Sequence, residues 1–132
     1  MDKKMNNNCS GSRKKILAVD DDIDFLKLLK LRLEANGYEV ITAFDGEKAL
    51  KKIKSKKPDM VILDIMLPKL NGEEVCRNIR NDHIISKTPV IMLTGKNTDV
   101  DRIVGRVIGA DVYITKPFEA EEFIAKVKKL IG

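Results

Sequence analysis

The chain has 132 residues, of which 43% are hydrophobic and 34% charged, and this composition is typical of one globular domain. Its net charge of +5 reflects lysine clusters that lack interleaved aromatic side chains for stacking on bases, so we expect no direct nucleic-acid binding. No apolar run approaches the roughly 18–20 residues that cross a bilayer, and no secretory signal is present, so we expect a cytoplasmic location without membrane contact.

Taken in order, the chain predicts a polar leader followed by five alternating strands and helices. Residues 1–13 are rich in Asn, Ser and Gly and predict a disordered leader, so residues 14–132 are expected to form the folded domain. Short apolar runs predict strands over 16–19, 40–43, 60–63, 89–93 and 112–114. A helical pattern follows each strand: the first ends at Asn36-Gly37, the second at Pro58, the third begins after Gly72, the fourth spans roughly 99–108, and the last holds Phe123 to Ile131.

The predicted strands are apolar on both faces, unlike strands that turn one face to water. Such strands, alternating with helices, favour a parallel sheet with helices on both sides. The right-handed crossover rule then makes a doubly wound five-stranded sheet in an α/β domain the best topology. In such sheets ligands bind at the carboxyl ends of the strands, near the point where the strand order reverses.

Polar side chains follow four of the predicted strands at this carboxyl edge. Asp20 and Asp21 follow the first strand, Asp64 the third, Thr94 the fourth and Lys116 the fifth. Three carboxylates at one edge repel each other unless a cation neutralises them, and oxygen ligands favour Mg²⁺ or the similar Mn²⁺. A carboxylate can accept a phosphoryl group. The three phosphoryl oxygens can then bind a metal cation, an ammonium group and a hydroxyl group, one each. The pattern therefore predicts a phosphoryl-accepting Asp64 in an acidic metal site.

Each of these residues alone has a commoner structural explanation. Asp21 or Asp22 could cap the first helix, a threonine often lies in a strand or turn, and a lone lysine is usually solvated. Their joint occurrence at four strand ends favours a functional site over these separate explanations.

Four motifs in order carry a resemblance to a known family. They are ILAVDDD at 16–22, VILDIMLP at 61–68, MLTG at 92–95 and ADVYITKPF at 110–118. In these motifs the chain resembles the receiver domain of two-component response regulators, similar to the chemotaxis response regulators, from about Lys15 to its end. The resemblance implies the flavodoxin-like (βα)5 fold of that family and a role in phosphorelay signal transduction.

The resemblance also implies the metal ligands and the phosphorylated residue. Asp64 would be the phosphorylation site, and Asp21 and Asp64 would bind Mg²⁺ directly. The backbone carbonyl of Met66 would be a third ligand, and Asp20 would act through water.

A further implication concerns the switch and its partners. Thr94 would move toward the phosphoryl group, Lys116 would pair with it, and the Tyr113 ring would turn inward, remodelling the face of the fourth helix, fifth strand and fifth helix. The phosphodonor would be a sensor histidine kinase or a histidine phosphotransfer protein, and a downstream protein or an appended output domain would read the switched face. The domain would catalyse only its own phosphorylation and dephosphorylation. Whether phosphorylation also drives homodimerisation stays open.

Two alternatives differ from a stand-alone receiver. In one, the chain is the receiver portion of a longer DNA-binding transcriptional response regulator. The leader from Met1 is typical of a native start, so we expect any missing output domain to follow residue 132, and we favour the stand-alone form. In the other, it is a Mg²⁺-dependent phosphohydrolase with an aspartyl-phosphate intermediate. Such enzymes need a second acid two residues after the nucleophile, where this chain has Met66.

Overall fold

The structure is a computed structural model that describes residues 13–95 and 109–132. Within these ranges it contains five strands and four helices. In chain order they are β1 (Lys15–Val19), α1 (Ile23–Ala35), β2 (Glu39–Ala43), α2 (Gly46–Lys56), β3 (Met60–Asp64), α3 (Gly72–Asn81), β4 (Val90–Thr94), β5 (Val112–Thr115) and α4 (Ala120–Ile131). The predicted leader, except for its last residue, and the predicted helix over 99–108 lie outside the described residues.

The five strands form one parallel sheet in the order β2-β1-β3-β4-β5. The chain moves outward from β1 to β2, then crosses back over β1 to β3 and continues the other way. This reversal between β2 and β3 confirms the doubly wound topology, and it leaves the carboxyl ends of β1 and β3 side by side in the middle of the sheet.

Two apolar cores cover the two faces of the sheet, because successive residues of a strand point to opposite faces. One core joins α2 and α3 to the sheet, and the other joins α1 and α4 to it. The α2 and α3 side includes Leu17, Val19, Val61, Leu63, Ala49, Ile53, Val75, Cys76 and Met92. The α1 and α4 side includes Ile16, Ala18, Ile62, Leu26, Leu29, Leu33, Ile91, Phe123 and Val127. Burial of both faces explains why the strands read as continuous apolar runs.

Three helices begin at side-chain caps in the loops that leave the sheet. Asp22 accepts a hydrogen bond from the Phe25 N–H at 3.1 Å, and Asn71 caps α3 in the same way. Asp22, rather than Asp21, therefore caps the first helix, whose last residue is Ala35 and whose C-cap is Asn36, in line with the predicted stop at Asn36-Gly37. Each cap satisfies an N–H group that the helix leaves without an internal acceptor.

Among the described residues, no helix combines the length and apolar character needed to span a bilayer.

Candidate functional site

The acidic residues predicted to share a site do lie together at the carboxyl edge of the sheet. Asp20 directly follows β1 and Asp64 is the last residue of β3, and these two strands are neighbours. Carboxylate oxygens of Asp20, Asp21 and Asp64 all lie within 4.8 Å of one another. Asp20 is 1% exposed and Asp64 8% exposed, whereas Asp21 is open to solvent. The cluster thus combines two buried carboxylates, those of Asp20 and Asp64, with one exposed carboxylate, that of Asp21.

Lys116 joins this cluster from a strand that is not adjacent to either acidic strand. It follows β5, and β4 lies between β5 and β3, so its long side chain must reach across the edge of the sheet. The ammonium donates to Asp20 Oδ2 at 2.7 Å and more weakly to Asp64 Oδ2 at 3.4 Å. The Lys116-Pro117 peptide bond is cis. Both carboxylates therefore face one cation.

Backbone N–H groups hold the other oxygen of each buried carboxylate. Asp20 Oδ1 accepts from the Asp22 N–H at 3.0 Å, and Asp64 Oδ1 accepts from the Met66 N–H at 3.1 Å. The Met66 side chain itself is exposed. Since the turn after each strand supplies the donor, the orientation of both carboxylates is determined locally.

Gly72 is a residue of this site whose importance the sequence pattern did not reveal. It begins α3, and its N–H donates to the Ile65 carbonyl at 2.9 Å. A Cβ at this position would lie against the Asp64 carbonyl and 2.9 Å from Ile65 Cα. Only glycine therefore allows α3 to start this close to the backbone of Asp64.

Burial and like charge shape the ionisation of the site. Burial, followed by the negative charge of Asp20, raises the pKa of Asp64, and Lys116 and the Met66 N–H oppose this only in part. For Lys116, burial lowers the pKa, but the hydrogen bond to Asp20 and the charges of both buried carboxylates outweigh it and leave the pKa raised. Lys116 is therefore a stable cation that does not fully neutralise the acidic cluster.

The donor set fits a hard divalent cation. Three carboxylates supply oxygen atoms only, which Mg²⁺ and Mn²⁺ prefer, and the excess of negative charge favours a dication. Because Asp21 is exposed, the cluster also has access to the water molecules that Mg²⁺ usually retains.

The other two predicted site residues lie on β4 and β5. Thr94 ends β4, with its Cα in register with Thr115 of the neighbouring strand; its side chain lies outside the described part of the structure. Tyr113 is half-buried on β5 and packs against the core on the α2 and α3 side. Thr94 thus shares the sheet edge with Lys116, while Tyr113 lies three residues before Lys116.

A parallel doubly wound sheet with an acidic cluster and a lysine at its carboxyl edge is the architecture of a receiver domain. The model of the response regulator receiver domain family matches residues 16–128, and the chain belongs to this family. The resemblance seen in the sequence motifs and the flavodoxin-like fold are thereby confirmed. Receiver domains of this family are signalling domains of two-component systems.

Particular relatives agree with this assignment. The alkaline phosphatase synthesis transcriptional regulatory protein PhoP of Bacillus subtilis (strain 168) is 49% identical over 118 residues, which cover 89% of this chain and 48% of PhoP. The chain spans about half the length of the curated relatives that it matches.

Solved structures with the same fold are also similar in sequence. A putative response regulator from Chloroflexus aurantiacus J-10-fl has a TM-score of 0.87 and 36% identity, with 90% of this chain and 98% of that chain covered. Chemotaxis response regulator CheY4 of Vibrio cholerae has a TM-score of 0.85 and 32% identity, with 91% of this chain and 100% of that chain covered.

Proposed function

We propose that this chain accepts a phosphoryl group on Asp64 from a sensor histidine kinase or a histidine phosphotransfer protein. The observation that carries the proposal is the contact of one lysine with two buried carboxylates at the edge of the sheet. Asp20 is fully engaged, through a 2.7 Å bond to Lys116 and a 3.0 Å bond from the Asp22 N–H. The contact of Asp64 Oδ2 with Lys116 is longer, at 3.4 Å, so Asp64 offers the more available nucleophilic oxygen of the two.

The transfer forms one bond and breaks another. Asp64 Oδ2 bonds to phosphorus as the bond from phosphorus to the donor imidazole nitrogen breaks, and that nitrogen keeps the electron pair. Asp21, Asp64 and the Met66 carbonyl would hold Mg²⁺ or Mn²⁺ directly, with Asp20 acting through water. The bound cation would neutralise charge on the phosphoryl oxygens.

Lys116 supplies the second positive charge. Its ammonium already lies at hydrogen-bond distance from the reacting carboxylate, so a phosphoryl group on Asp64 would be within its reach. A lysine fixed before the reaction stabilises the transferred charge without costly reorganisation. The Lys116 contact with Asp20 would hold the side chain until the phosphoryl oxygens compete for it.

The switch would pass from Thr94 to Tyr113. In this proposal the Thr94 hydroxyl moves to a phosphoryl oxygen, and the half-buried Tyr113 ring turns further inward. The changed surface would be the face of β5, α4 and the predicted helix over 99–108. A downstream protein or an appended output domain would read it, and phosphorylation-dependent homodimerisation would use the same face.

A second candidate is the receiver portion of a longer DNA-binding transcriptional regulator. It is favoured by the name of the Bacillus subtilis relative, a transcriptional regulatory protein, and by coverage of only 48% of that relative. In both candidates residues 14–132 act as a cytoplasmic receiver domain, and they differ only in what carries the output. The length of the open reading frame distinguishes them.

Intact-mass analysis tests the phosphorylation site. Incubation with acetyl phosphate and MgCl2 should add one phosphoryl group to the wild-type protein and none to Asp64→Asn. Asp22→Asn is the matched control, since Asp22 lies beside the cluster but caps α1, and it should keep the mass gain. A mass gain that persists in Asp64→Asn would refute the assignment.

A further inference from the structure

Lys116 has a neighbour other than the two carboxylates, the ring of Phe25 on α1. The ammonium nitrogen lies 4.2 Å from the centroid of this ring. A cation within about 6 Å of a ring centroid is attracted to the negative face of the π-system. We propose that Phe25 is a positioning residue, which holds the Lys116 ammonium where the phosphoryl group arrives. This inference rests on the proposed function.

The Phe25 ring is itself held in place by other aromatic rings. Phe118 lies edge-on to it, with centroids 6.1 Å apart and an interplanar angle of 80°. Phe118 in turn stacks on Phe123 of α4, at 4.9 Å and 25°. Phe123 is 1% exposed, so the series of rings ends in the core. Because Phe118 follows Lys116 by two residues, the same loop supplies the cation and supports the ring beneath it.

An aromatic partner suits a lysine whose oxygen partners must change. The two contacts of Lys116 with carboxylates are unequal, at 2.7 Å and 3.4 Å, and phosphorylation would move the negative charge of Asp64 outward onto the phosphoryl oxygens. A ring face attracts the ammonium without accepting a conventional hydrogen bond. The N–H donors thus stay available for oxygen atoms, while the flexible four-carbon side chain loses much of its freedom to swing into solvent.

Phe25 does not occupy a core position of its helix. The core-facing residues of α1 are Leu26, Leu29 and Leu33, and Phe25 is only half-buried beside them. Its ring packs at the margin of the core on the α1 and α4 side and also contacts Lys116 and Phe118 of the loop after β5. Since Phe25 therefore also contributes to packing, the test must separate positioning of the lysine from stabilisation of α1.

The rate of phosphorylation by acetyl phosphate tests the role of Phe25. Phe25→Leu keeps an apolar side chain but removes the ring, and it should slow phosphorylation about two- to fivefold, the scale of a partly exposed cation–π contact. Phe25→Tyr keeps the ring and should restore the wild-type rate. Phe44→Leu is the matched control, because Phe44 is exposed in the turn after β2, and its rate should not change.

A double-mutant cycle and NMR spectroscopy separate positioning from packing. In a Lys116→Met background, Phe25→Leu should have no further effect on the rate, because the ring has lost its cation. In the metal-free protein without phosphodonor, the Lys116 ε-methylene signal should show an upfield ring-current shift that Phe25→Leu abolishes and Asp64→Asn retains. Equal slowing by Phe25→Leu with and without Lys116, or a signal that Phe25→Leu leaves in place, would overturn the proposal.

The two proposals fail in different ways. If the wild-type protein gains no phosphoryl group, the proposed function is wrong. The proposed role of Phe25 in phosphorylation is then also wrong, whatever the NMR signal shows. If the wild-type protein is phosphorylated on Asp64 but Phe25→Leu changes neither rate nor signal, only the positioning role is wrong.

Discussion

Three consecutive aspartates after β1 have three different environments, although their side chains are identical. Asp20 is buried and bonded to Lys116, Asp21 presents its carboxylate to solvent within the acidic cluster, and Asp22 turns away to cap α1. The direction of the backbone at each position decides which role each carboxylate can take. Neighbouring aspartates therefore serve as controls for one another.

Mg²⁺ should stabilise the folded protein through Asp21 and not through Asp22. A cation that binds only the folded state adds about 2.7 kcal/mol when its concentration is 100 times its Kd. Asp21→Asn should reduce this increment, while Asp22→Asn should keep it, because asparagine is also a good N-cap. Thermal unfolding with and without MgCl2, at matched ionic strength, measures the increments. Equal increments in the two variants would contradict the predicted ligand set.

The ionised Asp64 carboxylate should destabilise the metal-free protein. Burial and the charge of Asp20 raise its folded-state pKa above that of an unfolded aspartate, so the folded state binds this proton more tightly. The cost is present where Asp64 is ionised in the folded state, and it disappears as the pH falls through the folded-state pKa toward the pKa of an unfolded aspartate. Asp64→Asn should therefore be more stable at neutral pH by about 1 kcal/mol, and lose this advantage toward about pH 4.

Urea denaturation in EDTA at a series of pH values measures this difference. Because Asp22 is exposed and lies outside the cluster of Asp20, Asp21 and Asp64, Asp22→Asn should show no comparable gain at neutral pH. An Asp64→Asn variant that is less stable than the wild-type protein at neutral pH would show that the Lys116 ion pair outweighs burial.

At the scale of elements, the close contact between the end of β3 and the start of α3 determines the shape of the loop after Asp64. The Gly72 N–H donates to Ile65, and the Leu70 N–H donates to Pro68 at 2.8 Å, so the chain folds back tightly after the strand. The position of Asp64 therefore depends on a helix that starts eight residues later.

Gly72→Ala should force β3 and α3 apart. Its new methyl group has no room beside the Asp64 carbonyl and Ile65, and such overpacking typically costs about 1–3 kcal/mol. Gly95→Ala is the control, because a Cβ there meets no atom within 4 Å. Urea denaturation should show the loss for Gly72→Ala only, and phosphorylation by acetyl phosphate should slow with it. Equal stability of the two variants would show that the loop adjusts freely.

At the scale of the whole molecule, one arginine connects three separate segments. The Arg80 guanidinium donates to the carbonyls of Ser86 and Thr88 at 2.8 Å and 2.7 Å, to the Gly109 carbonyl at 2.8 Å, and to Asp111 at 2.9 Å. Asp111 directly precedes β5, the strand that leads to Lys116. Arg80 thus ties the end of α3 and the following turn to the start of the strand that delivers the lysine.

Arg80→Met should destabilise the protein by about 2–3 kcal/mol, because the variant leaves a carboxylate and several carbonyls without a charged donor. Arg77→Met is the matched control, since Arg77 is exposed on the same helix and should change stability little. Urea denaturation of both variants measures the difference. A similar effect of the two substitutions would show that the four Arg80 hydrogen bonds add nothing beyond general helix propensity.

The sequence by itself determined which segments become strands and which polar residues end them. Ile62 and Leu63 lie on opposite faces of β3, and both are apolar because helices cover both faces of the sheet. The strand could therefore be predicted from its own residues, without knowledge of the neighbouring strands. Asp20, Asp64 and Lys116 could be assigned to one edge because all strands of a parallel sheet end on the same side.

Only the tertiary structure decided the contacts that depend on strand order and on side-chain direction. Lys116 lies close to Asp20 and to Phe25, both of which are far from it in the chain. Glycine is needed at Gly72 because the backbone of Asp64 and Ile65 approaches it closely. Local periodicity shows which face of an element is buried but not what lies against it. The acidic edge was therefore predictable, whereas the aromatic and glycine contacts that shape it emerged only when the elements packed.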